Sequence, residues 1–429
     1  MQFKQYPSYK NSGVEWLGDV PEHWYIFKSN KIFKQSNVRS YESDEQLTAS
    51  QKYGVIPQSL YMKKEESKVV LALSGIDNFK HVDKNDFVIS LRSFQGGIEL
   101  CFYDGCVSPA YTVLKPNKVI NYSFWSYLFK STIYISVLNT AVDGIREGKT
   151  ISYTNFGKIY INIPPLSEQA QIANYLDTET TRIDNLIAKQ EKLIELLEEQ
   201  RKSIISHAVT KGLNPNAPMK DSGVEWLGDV PSHWEVKPNK YIFKIQKLIA
   251  GKLGYDVLSI TQKGLKVKDI ESNAGQMAQD YSKYQIVNIG DFAMNHMDLL
   301  TGWIDVAKQR GVTSPDYRVF KLKNSNLNKQ YFLNIFQMQY KQKILFAFGQ
   351  GAAQMGRWRL QSEAFNKLKM PYPCIKEQVQ IADFINHENL KINKLISKQQ
   401  ALIEKLKEYR TSIISHAVTG KIDVREFDA

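Results

Sequence analysis

The sequence predicts an α+β chain with an internal pseudo-two-fold duplication: two mixed α/β globular domains separated by two long antiparallel, coiled-coil-like helices. Three observations predict it. Fifteen residues, KNSGVEWLGDVPEHW (10–24), return as KDSGVEWLGDVPSHW (220–234) with two changes, so internal repetition is the first thing to follow. Two stretches with helical periodicity end in the same eight residues, SIISHAVT, at 203–210 and 412–419. The regions between these anchors differ in sequence yet keep a faint shared skeleton of short strands.

The repeat phrase opens each copy, and each copy then runs into a globular region. NDFVIS (85–90) is answered by GDFAMN (290–295), and VSPAYTVL (107–114) by TSPDYRVF (313–320). These read as short strands with Gly96, Gly97 and Gly302 in the turns between them. Each region closes on a proline-containing stretch, IPPLSEQ or PYPCIKEQ, where a helix begins, and the helices stop at Gly212 and Gly420. EQAQIA (168–173) recurs as EQVQIA (377–382), and from there the copies align without a gap.

Within the helices, Ile183, Ile187, Gln190, Ile194, Leu197, Arg201 and Ile204 step 4-3-4-3-4-3. Ile392, Ile396, Gln399, Ile403, Leu406, Arg410 and Ile413 repeat that seam. A narrow apolar seam on a charged helix needs a partner, and the other copy in the same chain has the advantage of effective concentration. Ile183, Ile187, Ile194, Leu197, Ile392, Ile396, Ile403 and Leu406 are therefore the expected helix-pair interface. About 40 residues at 1.5 Å each make a rod of roughly 60 Å. The resulting order is an N-terminal repeat segment (1–24), a first globular domain (25–163), a long helix (164–212), a linker with the second repeat phrase (213–234), a second globular domain (235–370), a second long helix (371–420) and a tail (421–429).

Composition sets the function classes. The 429 residues carry a net charge of +12, with 43% hydrophobic and 12% aromatic residues, a globular composition. The excess positive charge sits in the two globular regions, +5 over 25–163 and +11 over 235–370. A domain-confined excess of this kind favours a polyanion, most simply DNA. No apolar run approaches the roughly 20 residues that span a bilayer. The N-terminus, MQFKQYPSYKNSG, lacks a signal-peptide core, so a cytoplasmic location without a membrane partner is expected. Cys101, Cys106 and Cys374 form no disulfide framework, and Cys101 and Cys106 read as buried packing residues.

Chemistry-bearing motifs fall short. GIREGKT (144–150) has three residues between its glycines where a phosphate-binding loop needs four. SPAY (108–111) and SPDY (314–317) lack the second proline of the amino-methyltransferase tetrapeptide, and the spacing of FGQG (348–351) does not make a methyl-donor loop; strand-turn packing is the reading adopted for both. No set of His, Cys, Asp and Glu has metal-ligand spacing, so neither a catalytic residue nor a metal site is expected.

The ordered combination of SGVEWLGDVPxHW, a variable domain, a proline-rich turn, EQxQIA and a long helix ending in SIISHAVT closely resembles the specificity subunit of Type I restriction-modification systems, over essentially the whole chain. The resemblance implies a non-catalytic, DNA-binding subunit whose two domains are target recognition domains, each reading one half of a bipartite, asymmetric double-stranded DNA sequence. The helices would space the half-sites and dock two modification (methyltransferase) subunits, joined by restriction (translocase/nuclease) subunits. No cofactor is expected in this chain; S-adenosylmethionine, ATP and Mg²⁺ would be held by the partner subunits. A rod of roughly 60 Å is long enough to separate two half-sites by one duplex turn.

Recognition surfaces vary in such a family, so the candidate DNA contacts are chosen on physical grounds. They are Arg92, Ser93, Gln95, Arg146 and Lys149 in the first domain, and Asn295, His296, Arg357 and Arg359 in the second. Arg on guanine and Asn or Gln on adenine are the bidentate contacts that major-groove geometry favours. Two rival readings stand beside this one: a stand-alone DNA methyltransferase, and a coiled-coil scaffold that does not bind DNA.

Overall fold

The computed structural model describes residues 4–66, 76–91, 93–140, 151–269, 280–352 and 357–427. They form two compact units, Met1–Gln190 with Gln400–Ala429, and Glu191–Gln399. Each unit takes one half of each long helix, an organisation that the linear order of segments does not display.

Both units are built on one plan. In unit 1 an antiparallel four-stranded sheet runs in the order Phe33–Ser36, Thr112–Pro116, Phe87–Ile89, Glu99–Leu100. In unit 2 the order is Phe243–Gln246, Arg318–Leu322, Phe292–Met294, Ile304–Val306. The register matches as well: Phe33 faces Pro116 and Phe87 faces Leu114 in one, Phe243 faces Leu322 and Phe292 faces Phe320 in the other. The central strands are apolar on both faces because each sheet is covered on both sides. Phe87, Ile89 and Leu114 enter the main core of unit 1, while Val88 and Val113 enter a smaller core behind it with Leu47, Val55, Val82 and Val107. In unit 2, Phe292 and Phe320 face the main core, and Ala293 and Val319 the smaller one. Phe33 packs edge-on against Phe87 and Trp125, and Phe243 likewise against Phe292, Phe320 and Phe332.

The long helices span Leu166–Lys211 and Ile375–Val418. Neither contains Gly or Pro, and each is rich in Glu, Gln, Lys, Leu and Ile, which lose little rotamer freedom in a helix. Both start just after proline and stop at a glycine with positive φ, Gly212 at +77° and Gly420 at +73°. A side chain at Gly420 would also put its Cβ 2.4 Å from Pro21 Cδ. Within unit 1 the helix halves pair antiparallel, with Ile183 and Ile413 buried together, Ile187 and Leu406 packed against them, and Arg410 bonded to Asp184 at 3.0 and 3.3 Å. Within unit 2, Leu197, Ile392 and Ile396 form a cluster joined by Ile194, and Arg201 donates to Asn393 Oδ1 at 2.7 Å. Ile403 is buried as well.

The repeated phrase is a structural key. In unit 1 it makes the hairpin Tyr9–Asn11 with Asp19–Pro21 and sends Leu17, Val20 and Trp24 into the interior. In unit 2, Met219–Asp221 pairs with Asp229–Pro231, and Leu227, Val230 and Trp234 are buried. Each hairpin receives the end of a helix: Lys421 donates to the carbonyls of Leu17 and Asp19, and Lys211 to those of Leu227 and Asp229. The EQ pair that opens each helix is held in duplicate too. Gln169 Nε2 donates to Pro164 O and Gln378 Nε2 to Pro373 O, both at 2.9 Å. Their side-chain oxygens accept from the backbone N–H of Asn121 and Asn328, which in turn cap the helices Tyr122–Lys130 and Lys329–Lys341. Two copies of one bonding scheme explain why these particular residues recur.

Candidate nucleic-acid interface

The same turn stands over each four-stranded sheet. Tyr111 N donates to Ser108 O and Tyr317 N to Ser314 O, both at 3.0 Å, and the serine hydroxyls accept from Ala110 N and Asp316 N at 3.3 Å. The S-P-x-Y stretches are strand-entry turns, as their sequence suggests, and each also sets its tyrosine on the wall of a cleft. The residue after the tyrosine begins the next strand: Thr112 in unit 1 and, in unit 2, Arg318, which itself lines the cleft.

The unit 1 cleft, about 620 Å³, lies between this turn, the tip of the hairpin Leu47–Ser50 with Gly54–Pro57, and the segment after strand Phe87–Ile89. Gln51, Lys52, Glu65, Gln95, Glu99 and Tyr111 line it. Its charges are internally matched: Lys52 pairs with Glu65 at 3.0 Å and Lys130 with Glu99 at 2.8 Å. Burial raises the Glu99 carboxyl against the pull of Lys130. Gly97, which lines the cleft, is needed there because its φ is +85° and a Cβ would fall 2.3 Å from Phe129 O.

The unit 2 cleft, about 260 Å³, is a site of unmatched positive charge. Lys247, His296, Asp316, Tyr317, Arg318 and Arg359 line it. Arg318 is 4% exposed, stacks its guanidinium 4.8 Å from the Phe365 ring, and donates through Nη2 to Leu360 O at 2.9 Å and Ser362 Oγ at 3.3 Å. Its Nη1 has no hydrogen-bond partner, and no described carboxylate forms an ion pair with it. Burial, with the neighbouring Arg359 charge, pushes its pKa down to about 10. Burial, then Arg318 and Arg359, press His296 down to about 3, so that its ring is neutral at pH 7. The folded pKa of His296 lies below its unfolded value of 6.5. The stability held by its neutral form is therefore present above pH 6.5 and lost as pH falls toward 3, about 2 kcal/mol by pH 5. Thermal unfolding from pH 7 to 5 should show that loss in the parent and lack it in His296→Asn.

Of the candidate contacts, Gln95 lines the first cleft and His296 and Arg359 the second. Two further candidates are placed elsewhere. Ser93 is 1% exposed, and its hydroxyl accepts from Ser90 N at 2.9 Å, so it closes a turn and has no surface to present. Asn295 uses its side-chain oxygen on Met297 N at 3.3 Å and is not among the residues lining the cleft. Arg357 starts the strand Arg357–Arg359, but its side chain lies outside what the structure describes, as do Arg92, Arg146 and Lys149 altogether. Lys52, Tyr111, Lys247, Tyr317 and Arg318 were not among the candidates. The available signal was S-P-x-Y itself, spelled in both copies and followed by a different residue in each. Among the described residues no group of His, Cys, Asp and Glu could hold a metal ion, and no helix is long and apolar enough to cross a membrane.

The model of the Type I restriction modification DNA specificity domain matches residues 17–198 and again 231–405. The chain belongs to that family. As a type I specificity subunit it is 26% identical over 368 residues to the MjaVIII specificity subunit of Methanocaldococcus jannaschii, 81% of each chain. It is 22% identical to the putative MjaX specificity subunit of the same organism over 99% of both chains. It also matches a third of the EcoKI specificity subunit of Escherichia coli, at 27% identity over 187 residues. Two solved structures share the fold of this specificity subunit. One is a chain from a type I R-M system structure (TM-score 0.66, 12% identity, 93% of this chain and 98% of that one). The other is the HsdS subunit from Thermoanaerobacter tengcongensis (TM-score 0.55, 12% identity, 96% and 100%).

Proposed function

We propose that this chain reads a bipartite, asymmetric double-stranded DNA target, one half through each cleft-bearing domain, as the non-catalytic cytoplasmic subunit of a restriction-modification complex. The observation that carries the reading is a pair of frameworks with matching strands, turns and caps whose clefts differ in charge. A shared frame with two unlike clefts suits two unlike half-targets. The exposed Arg359, with the buried Arg318 charge behind it, calls for an acceptor-rich ligand, and the guanine edge offers two acceptors in the geometry arginine fits. The internally paired charges and amides of the first cleft suit a mixed donor and acceptor pattern. Lysines around both clefts would hold the phosphate backbone and make binding salt-dependent. The paired helices serve as the spacer between half-targets and as the dock for two modification subunits, to which the restriction subunits are added. S-adenosylmethionine, ATP and Mg²⁺ act on those partners, and this chain contributes position and sequence.

The test is a genome-wide map of adenine methylation in cells with and without this chain, the other subunits intact. Loss of methylation at one split motif, two short halves around a fixed gap, is the expected result. An unchanged map would count against the reading.

A further inference from the structure

A cavity of about 230 Å³ in unit 2 has no part in the clefts and lies beside the paired helices. Arg201, Lys202 and Lys341 bring three cations to it, and Asn334, Asn389 and Asn393 add amides. Its hydrogen-bonding groups are left with donors to spare. Asn334 is 5% exposed; its oxygen accepts from Gln330 Nε2 at 2.9 Å, and its Nδ2 has no partner. Arg201 spends Nη2 on Asn393 Oδ1, while its buried Nε lies 3.4 Å from the half-exposed Glu198 without making a hydrogen bond. Lys341 has its charge disfavoured by burial and by Arg201 and Lys202, with Glu198 opposing. Buried donors without acceptors are costly, and charged ones more so.

The duplication supplies the control. Arg410 and Asp184 of unit 1 align with Arg201 and Asn393 of unit 2. In unit 1 the carboxylate is built in, and the pair is bidentate at 3.0 and 3.3 Å. In unit 2 an uncharged amide stands in its place, and two lysines have joined the arginine. Glu198, 3.4 Å from Arg201, stands where unit 1 has Lys407, so a single half-exposed carboxylate faces the three cations.

We propose that this cavity binds a small tetrahedral oxyanion, a phosphate or phosphate monoester, which takes the place of the carboxylate that unit 1 carries on its own chain. Arg201 and Lys341 neutralise it and the amide N–H groups of Asn334 and Asn393 donate to it. The site rests on neither DNA reading nor methylation.

The experiment is thermal unfolding of the full chain titrated with inorganic phosphate at constant ionic strength, alongside Asn393→Asp, Lys341→Gln and a parallel titration with adenosine monophosphate. A ligand that binds only the folded state raises Tm with its concentration in a saturable way. The parent is expected to show such a rise. Asn393→Asp restores the unit 1 pair, so it should unfold at a higher temperature without phosphate and lose the response. Lys341→Gln should weaken the response by about tenfold in phosphate concentration. An equal response to the nucleotide assigns the site to a phosphate monoester, and a response to phosphate alone assigns it to the free ion. General salting effects act on all variants alike, so an Asn393→Asp response equal to that of the parent would overturn the proposal, as would no saturable response in the parent.

Discussion

Arg318→Met is expected to cost the protein little stability and most of its discrimination at one half-target. The two effects separate because of where the guanidinium sits. It is buried, stacked on Phe365, and has no carboxylate paired with it among the described residues. An unpaired buried charge carries a desolvation penalty that removal relieves, and methionine fills a comparable volume over the ring. Against this stands the loss of the bonds to Leu360 O and Ser362 Oγ. The two terms are of similar size, so unfolding free energy should change by no more than about 2 kcal/mol. Arg318 backs the exposed Arg359 in the cleft, and one base contact held in place is worth about 1–3 kcal/mol, so specific binding should weaken by about tenfold to a hundredfold. Binding to scrambled DNA, governed by phosphate contacts, should change little. Titration of the assembled complex on specific and scrambled duplexes measures both at once. Equal loss on the two duplexes would make Arg318 a backbone contact, and an unfolded variant would make it a structural residue.

The helices and the duplication were legible because their signals are local and repeated. A seam at 4-3 spacing between a proline and a glycine admits few other structures, and fifteen residues spelled twice mark a copied unit. The sheet was harder to read. Its strands are two to five residues, too short for periodicity, and Phe87–Ile89 is apolar on both faces, which removes the alternation. The clefts were hidden for a different reason. Lys247, His296, Arg318 and Arg359 come from segments far apart in the sequence, and only the strand order brings them together. Arg318 looked like one more strand residue in TSPDYRVF. Ser93 shows the opposite difficulty, since a hydroxyl in LRSFQGG can equally close its own turn, and it does. The role of the repeated phrase was also out of reach, because the partners of Trp24 and His23 lie 144 and 145 residues away.

Those partners lead to the largest stability effect expected anywhere in the chain. Glu168, 3% exposed at the start of the first long helix, gathers three groups of the N-terminal segment. Its Oε1 accepts from Tyr6 OH at 2.6 Å and Trp24 Nε1 at 2.9 Å, and its Oε2 meets His23 at 2.7 Å. Burial and the neighbouring carboxylate hold the Tyr6 hydroxyl far above its ordinary range, so it remains a donor at any accessible pH. Glu168→Ala strips the acceptor from two buried donors, opens a void under Trp24 and removes an anion from the helix N-terminus. These losses add to about 3–5 kcal/mol. The second copy provides the comparison. Glu377 also meets its histidine, His233, at 3.0 Å, but it is more exposed, and Trp234 Nε1 has no partner. Glu377→Ala gives up a single half-exposed contact and should cost about 1 kcal/mol. Chemical denaturation of the two variants should therefore separate them by at least about 2 kcal/mol in spite of their identical place in the repeat. Equal costs would mean that the hairpins are held by Trp24 and Trp234 packing alone, and that the carboxylate at the head of each helix is retained for another purpose.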